Sequence, residues 1–203
     1  MKESDCSDLN DFLAGVSRAV SGAGSKNDTV AAVKELVTGA LGKGGWLPER
    51  CLRTAPDGYA RHLLFQDPDD RFEVVVMVWR QGQKTPVHDH GGVWCVEGVY
   101  TGRIKVTRYD VEPTAQPGVA ALSVCEVIYA GTGETGALIP PVEHHAIENA
   151  FDTTAVTVHT YGGDLRACQV YLPRTDGGYD VCVKELCYTS RPEPALGGPS
   201  GRG

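Results

Sequence analysis

No run of about 18 consecutive apolar residues, the length a helix needs to cross a bilayer, occurs anywhere in the 203-residue chain. The first twenty residues carry acids among short apolar spacings. The expectation is a protein without membrane span or secretory signal, with a cytoplasmic address. A basic excess is missing too: 19 Lys and Arg stand against 26 Asp and Glu, a net charge of -7, and the cations are scattered. Nucleic-acid binding draws on clustered cations that neutralise phosphates, so the expected partner is a small molecule, with no nucleic acid and no membrane. The seven cysteines, Cys6, Cys51, Cys95, Cys125, Cys168, Cys182 and Cys187, are odd in number and lack any CxxC pair. A disulfide framework and a zinc ribbon are therefore not expected. Most of the cysteines read as small buried hydrophobes; Cys95 is set apart below. There is no internal repeat, and a monomer or weak homo-oligomer is expected.

What is present fits one domain with a substantial core, since domains usually run to roughly 100–200 residues. Apolar residues make up 41% and charged residues 22%, an ordinary globular balance, and 25 glycines with 12 prolines suggest many turns. From Ser7, placed to cap, the residues Leu9, Phe12, Leu13, Val16 and Val20 fall at helical spacing. After a turn at Ser21–Ser25, Val30, Val33, Val37 and Leu41 repeat the pattern behind the cap candidates Asn27 and Asp28, and Gly42, Gly44 and Gly45 end it. Beyond Trp46 helical spacing gives way to β-rich runs: Arg61–Phe65, Phe72–Arg80, Val93–Tyr100, Ile104–Tyr109, Leu122–Tyr129, Thr154–Tyr161, Cys168–Leu172 and Tyr179–Lys184. Turns are clearest at Asp67-Pro68-Asp69-Asp70 and Asp176-Gly177-Gly178. Eight or more short strands without intervening helices predict an antiparallel sandwich, jelly roll or small barrel.

Chemistry concentrates in two stretches. In the first, five residues separate Gly82 from His88-Asp89-His90, Gly91-Gly92-Val93-Trp94-Cys95 follows, and six more residues lead to Gly102. Two histidines at i and i+2 on an extended strand point to one side, so both can ligate one metal. The second stretch, Pro140-Pro141-Val142-Glu143-His144-His145-Ala146-Ile147-Glu148-Asn149, can bring a third histidine back to the same barrel mouth.

These spacings resemble both motifs of the cupins, although Val142 stands where cupins often carry glycine. The second motif places its histidine four before Asn149, which favours His145 over His144. Cys95 stands where the usual cupin has a metal-binding glutamate, and this narrows the resemblance to the cysteine dioxygenase family, across roughly Tyr59 to Tyr161. Further matches are Trp79, nine residues before His88, the run Tyr59-Ala60-Arg61-His62-Leu63-Leu64, and Thr157-Val158-His159-Thr160-Tyr161, which looks like the family's Ser-x-His-x-Tyr relay with threonine for serine.

The resemblance implies an all-β dominated fold: a cupin, or small jelly-roll β-barrel, with an N-terminal pair of α-helices. The expected division is a helical segment over 1–45 packed on the barrel, the cupin domain over 46–190, and a flexible tail over 191–203. It also implies a ferrous iron, Fe(2+), on His88, His90 and His145, and dioxygenation of a small thiol to a sulfinic acid, with cysteine as first substrate. Three histidines also suit zinc, nickel and copper, so iron comes from the resemblance alone. Arg61 is implied as the anchor of the substrate carboxylate, a planar fork suited to a bidentate pair, with Tyr59 on the same strand. At the Arg61 position 3-mercaptopropionate dioxygenases look more like glutamine. Tyr161, oriented by His159 and Thr157, is implied as the catalytic phenol, and Cys95 as its partner in a thioether. The alternatives are a dioxygenase of 3-mercaptopropionate, mercaptosuccinate or ergothioneine, or a non-catalytic ligand-sensing cupin.

Overall fold

The computed structural model describes residues 3–22 and 24–192. Most of the expected tail and the Cys6 side chain lie outside the described residues. Two helices come first, α1 (Glu3–Ser21) and α2 (Lys26–Lys43), then a single 3-10 turn at Glu49–Leu52. Eleven strands follow: β1 (Ala60–Gln66), β2 (Glu73–Trp79), β3 (Val87–His88), β4 (Cys95–Thr101), β5 (Arg103–Pro113), β6 (Val119–Gly131), β7 (Thr135–Leu138), β8 (His145–Glu148), β9 (Ala155–Tyr161), β10 (Ala167–Pro173) and β11 (Tyr179–Glu185). Among the described residues no helix is long and apolar enough to cross a membrane.

Two helix starts differ from expectation. α1 begins at Glu3, so Ser7 lies within the helix and not at its start. α2 is capped by Ser25, whose Oγ accepts from the Asp28 amide while the Asp28 carboxylate accepts from the Ser25 amide. This reciprocal capping box satisfies two otherwise orphaned donors, a better solution than Asn27 or Asp28 capping alone.

The strands form a five-stranded sheet in the order β1-β2-β9-β4-β7 and a ring β10-β11-β6-β5-β8-β3 that closes through β3 and β10. This is a mostly sheet architecture, a small closed barrel of strands with two N-terminal helices, as expected. Strand parity divides the five-stranded sheet. Val74, Val76, Val78, Val96, Val156 and Val158 share one core with Val30, Val33, Val37 and Leu41 of α2 and with Phe12 and Val16 of α1. The intervening residues Val75, Met77, Trp79, Cys95, Val99, Ala155 and Tyr161 share a second core, between the sheet and the ring, with Ile104, Val106 and Ile147. Every residue of β2 and β9 is buried in consequence.

The ring has water on its outer side, and this overturns part of the cysteine expectation. Cys51, Cys95 and Cys168 are buried, but Cys125, Cys182 and Cys187 are exposed. Cys125 and Cys182 lie on β6 and β11, whose outer faces nothing covers among the described residues.

Close approach of α2 to β4 depends on Gly98. A Cβ there would lie 2.5 Å from Leu41 Cδ1, 3.0 Å from Thr135 Cγ2 and 3.2 Å from Val37 Cγ1. Gly98→Val should therefore cost about 1–3 kcal/mol by overpacking, read as a lower urea midpoint at unchanged m. Gly39→Ala, on the same helix with nothing within 4 Å of its Cβ, should be neutral or stabilising. Equal midpoints for Gly98→Val and the parent chain would mean that the helix does not seat on β4 as described.

Candidate active site

The two histidines of the first motif stand at the end of β3 and just beyond it, where His88 pairs with His145 of β8 and with Val170 of β10. The three rings converge: centroids lie 5.3 Å apart for His88 and His90, 4.7 Å for His88 and His145, and 5.0 Å for His90 and His145. One ligand atom from each falls within 4.8 Å of the others. The neighbouring His144 turns away, its Nε2 hydrogen-bonded with the Tyr171 hydroxyl at 3.1 Å.

Each ring has its Nδ1 turned outward to an oxygen. His88 Nδ1 lies 3.1 Å from the Pro86 carbonyl, His90 Nδ1 lies 3.4 Å from Glu143 Oε2, and His145 Nδ1 lies 3.8 Å from Glu97 Oε1. The last two exceed ordinary hydrogen-bond length, yet neither nitrogen has another partner, and buried polar groups are normally satisfied. The His145 Nε2 is likewise buried and unpartnered. Burial, reinforced by neighbouring histidines, pushes His88 down to about 3 and His145 well below its usual range. Converging imidazoles with Nδ1 turned to outer oxygens and, at His145, an orphaned nitrogen within are the donor set a transition metal takes. His88, His90 and His145 fit such an ion.

The five-stranded sheet supplies the opposite wall. Thr157, His159 and Tyr161 occupy alternate positions on β9 and face inward. Trp79 Nε1 donates to Thr157 Oγ1 at 2.9 Å, and Thr157 Oγ1 lies 2.7 Å from His159 Nε2. Beyond His159 the contacts turn to Glu97, whose Oε2 is 3.5 Å from His159 Nδ1. The Tyr161 ring stacks on that of His159, at 6.0 Å and 13°. Cys95 sits directly across from Tyr161 in the β4/β9 register, and the nearby phenol pulls against the upward shift of its thiol. Burial pushes both groups well above their usual values, so thiol and phenol are both protonated at neutral pH.

Arg61 enters from β1. One guanidinium nitrogen, Nη1, donates to the Cys187 carbonyl at 3.3 Å, while Nη2 is buried without a hydrogen-bond partner. Tyr59 stacks on Trp79 at 4.4 Å. Arg61, Tyr59, Trp79, the three histidines, His159, Tyr161 and Lys184 line one cavity of about 30 Å³, and none of its described lining residues is an Asp or Glu.

Two buried acids that face the histidines escaped the sequence reading. Glu143 directly precedes the histidine pair of the second motif, and Glu97 follows Cys95 by two, the spacing that returns a strand residue to the same face. Parity along β4 was thus the available signal. Burial raises Glu97 to about 7, against the pull of Arg108.

Known proteins give the following matches. The sequence model of the family described as "Cysteine dioxygenase type I" matches residues 48–174, which hold every residue named above except Lys184 and Cys187. A Danio rerio protein, "Cysteine dioxygenase type 1", is 25% identical over 136 residues, 62% of this chain and 61% of that protein; the match spans less than two thirds of its length. Among solved structures, a Klebsiella pneumoniae protein with a double-stranded beta-helix domain is 15% identical, covering 58% of this chain and 88% of its own, at a TM-score of 0.46. A Thermus thermophilus protein is 20% identical over 57% of this chain and 92% of its own, at a TM-score of 0.44.

Burial of neutral imidazoles has a pH signature in the metal-free protein. His88 and His159 sit at about 3 folded against an ordinary 6.5, so between those values the unfolded chain binds protons the folded one does not. Their contribution is complete above about 6.5 and is lost as pH falls toward 3, at about 1.4 kcal/mol per pH unit per group. Glu97 has the opposite sign: raised from 4.5 to about 7, it favours the folded state at low pH and opposes one histidine between those values. The urea midpoint should therefore fall on acidification from about 6.5 and fall more steeply below 4.5. A midpoint that held or rose over this range would show that the imidazoles protonate in place without cost.

Proposed function

We propose that this chain, which belongs to the cysteine dioxygenase type I family, is an iron-dependent cupin thiol dioxygenase that converts L-cysteine and dioxygen to cysteine sulfinic acid. The observation that carries this reading is the convergence of His88, His90 and His145 without a carboxylate among them, beside a buried guanidinium with an unpaired nitrogen. The balance is R–SH plus O2 giving R–SO2H, both oxygen atoms ending on sulfur. The three histidines would hold a ferrous ion, which when bound supplies open positions and the one-electron chemistry that dioxygen needs.

The chain's own side chains do the rest. An unpaired buried N–H costs about 1–3 kcal/mol, so Arg61 Nη2 gains most from a carboxylate, and a charge-assisted pair there fixes one end of the substrate. The Tyr161 phenol stays protonated beside that end of the cavity and offers a hydrogen bond. Tyr59 stacked on Trp79 keeps water from the far wall. At about 30 Å³ the cavity falls well below the roughly 300–1,000 Å³ of sites for drug-sized ligands, which favours cysteine over ergothioneine. In this reading the helical segment 1–45 and the barrel 46–190 act together, and six described cysteines without a disulfide suit a reducing, cytoplasmic setting.

A second reading has its own support. No described residue lining the cavity is an acid that could pair with an ammonium, and Lys184 lines it as well as Arg61. This favours a carboxylated thiol without an amine, such as 3-mercaptopropionate or mercaptosuccinate.

Oxygen uptake by anaerobically iron-loaded protein against these thiols separates the readings. Cysteine should give stoichiometric uptake and sulfinate; faster turnover of the amine-free thiols would select the second reading, and no uptake with any thiol would leave a ligand-sensing cupin. Arg61→Ala should lower kcat/KM for carboxylated thiols by an amount equivalent to about 2–5 kcal/mol, the usual result of truncating one partner of a desolvated charge pair. An unchanged kcat/KM would remove Arg61 from the site.

The Cys95–Tyr161 pair generates a further expectation. A bond between Sγ and the ring carbon beside the phenol oxygen would form with loss of two hydrogens, their electrons passing to dioxygen. Intact mass after turnover should show that loss in the parent chain and not in Cys95→Gly or Tyr161→Phe. Its absence from fully turned-over protein would leave the pair as a packing contact.

A further inference from the structure

Glu97 touches both halves of the site. In the β4/β9 register it stands directly opposite His159, with Oε2 3.5 Å from His159 Nδ1. Its other oxygen, Oε1, lies 3.8 Å from Nδ1 of His145 on the facing ring of strands. Both nitrogens and Oε2 are buried and lack any hydrogen-bond partner. The one cation that acts on it among the described residues, Arg108, is already paired with Glu126 at 3.2 Å. Both carboxyl oxygens of Glu97 are thus directed at imidazoles.

The neighbouring hydrogen bonds allow Nδ1–H on both imidazoles, and the facing carboxylate decides for that form. Thr157 Oγ1 accepts from Trp79 Nε1, so its own hydrogen is free for His159 Nε2, 2.7 Å away. The His159 proton then sits on Nδ1 and faces Glu97. An Nδ1–H on His145 likewise leaves its Nε2 lone pair directed at His88 and His90. We propose that Glu97 is a positioning residue that sets the Nδ1–H form of His145 and His159 together, so that one side chain keys the metal-binding histidines to the hydrogen-bonded chain beside Tyr161. The His145 half rests on the three-histidine reading above; the His159 half does not.

Nitrogen-15 spectra of histidine-labelled, metal-free protein test the assignment directly, since they report which ring nitrogen carries the proton. In the parent chain both His145 and His159 should be protonated at Nδ1. Glu97→Gln keeps the shape but offers one acceptor oxygen and one donor, so one of the two rings should lose that form; in Glu97→Leu both should. Ferrous affinity, read by chelator competition, should fall about 10- to 100-fold in Glu97→Leu, the usual effect of losing a group that orients a metal ligand, and less in Glu97→Gln. Val99→Ala, in the same core, is the control for packing: it should lower the unfolding midpoint and leave both readouts alone.

Unchanged histidine spectra in both Glu97 variants overturn the proposal, as does a shift at His159 with His145 and metal affinity untouched. The same holds for Val99→Ala moving the readouts as Glu97→Leu does. A parent chain with the expected tautomers but no oxygen uptake would sink the dioxygenase reading alone.

Discussion

Burial of the five-stranded sheet on both faces is the constraint on which the rest depends. A strand exposed on one side can keep polar residues in water, but β2 and β9 are buried throughout, so each polar residue they carry needs a partner inside. The even-numbered valines of β2 and β9 meet the helices, so α1 and α2 cover a face of the sheet that would otherwise meet water. The odd-numbered positions face the ring of strands, and there Trp79, Thr157 and His159 satisfy one another in sequence. Period-two alternation thereby separates structural work from chemical work along a single strand.

The interior so created is dry, and this decides the charge state of what lies in it. Low polarity disfavours the charged form of every group. His88, His145 and His159 become neutral, Glu97 is raised to about 7, and the Cys95 thiol and Tyr161 phenol keep their protons. Arg61 is the exception, since a guanidinium does not give up its proton. Its unpaired nitrogen is therefore the most demanding polar group of the cavity, and the chemistry most suited to relieve it is an anion.

Short elements were the hardest to read from sequence. β3 spans two residues and β7 and β8 four each, too few to show an alternation, and their strand character comes from pairing with β10, β4 and β5. β5 and β6, by contrast, run past both predicted ends because long antiparallel pairing continues through residues of weak strand preference. The exposed Cys125 and Cys182 make the same point: burial is a property of a face, and which face of β6 or β11 meets water is not written in either strand alone.

Sequence by itself indicated the candidate donor set and the order of elements. His88 and His90 at i and i+2, a third histidine four before Asn149, and Cys95 in place of a carboxylate are local spacings, and local spacings survive in one dimension. Tertiary structure alone decided which atoms oppose which. It turned His144 to Tyr171 and left His145 facing His88, set Cys95 across from Tyr161, and brought Glu97 between His145 and His159. Those relations join residues distant along the chain, through strand register and the stacking of two sheets. A linear pattern carries neither, because register is fixed by the joint burial of faces that meet only when the barrel closes.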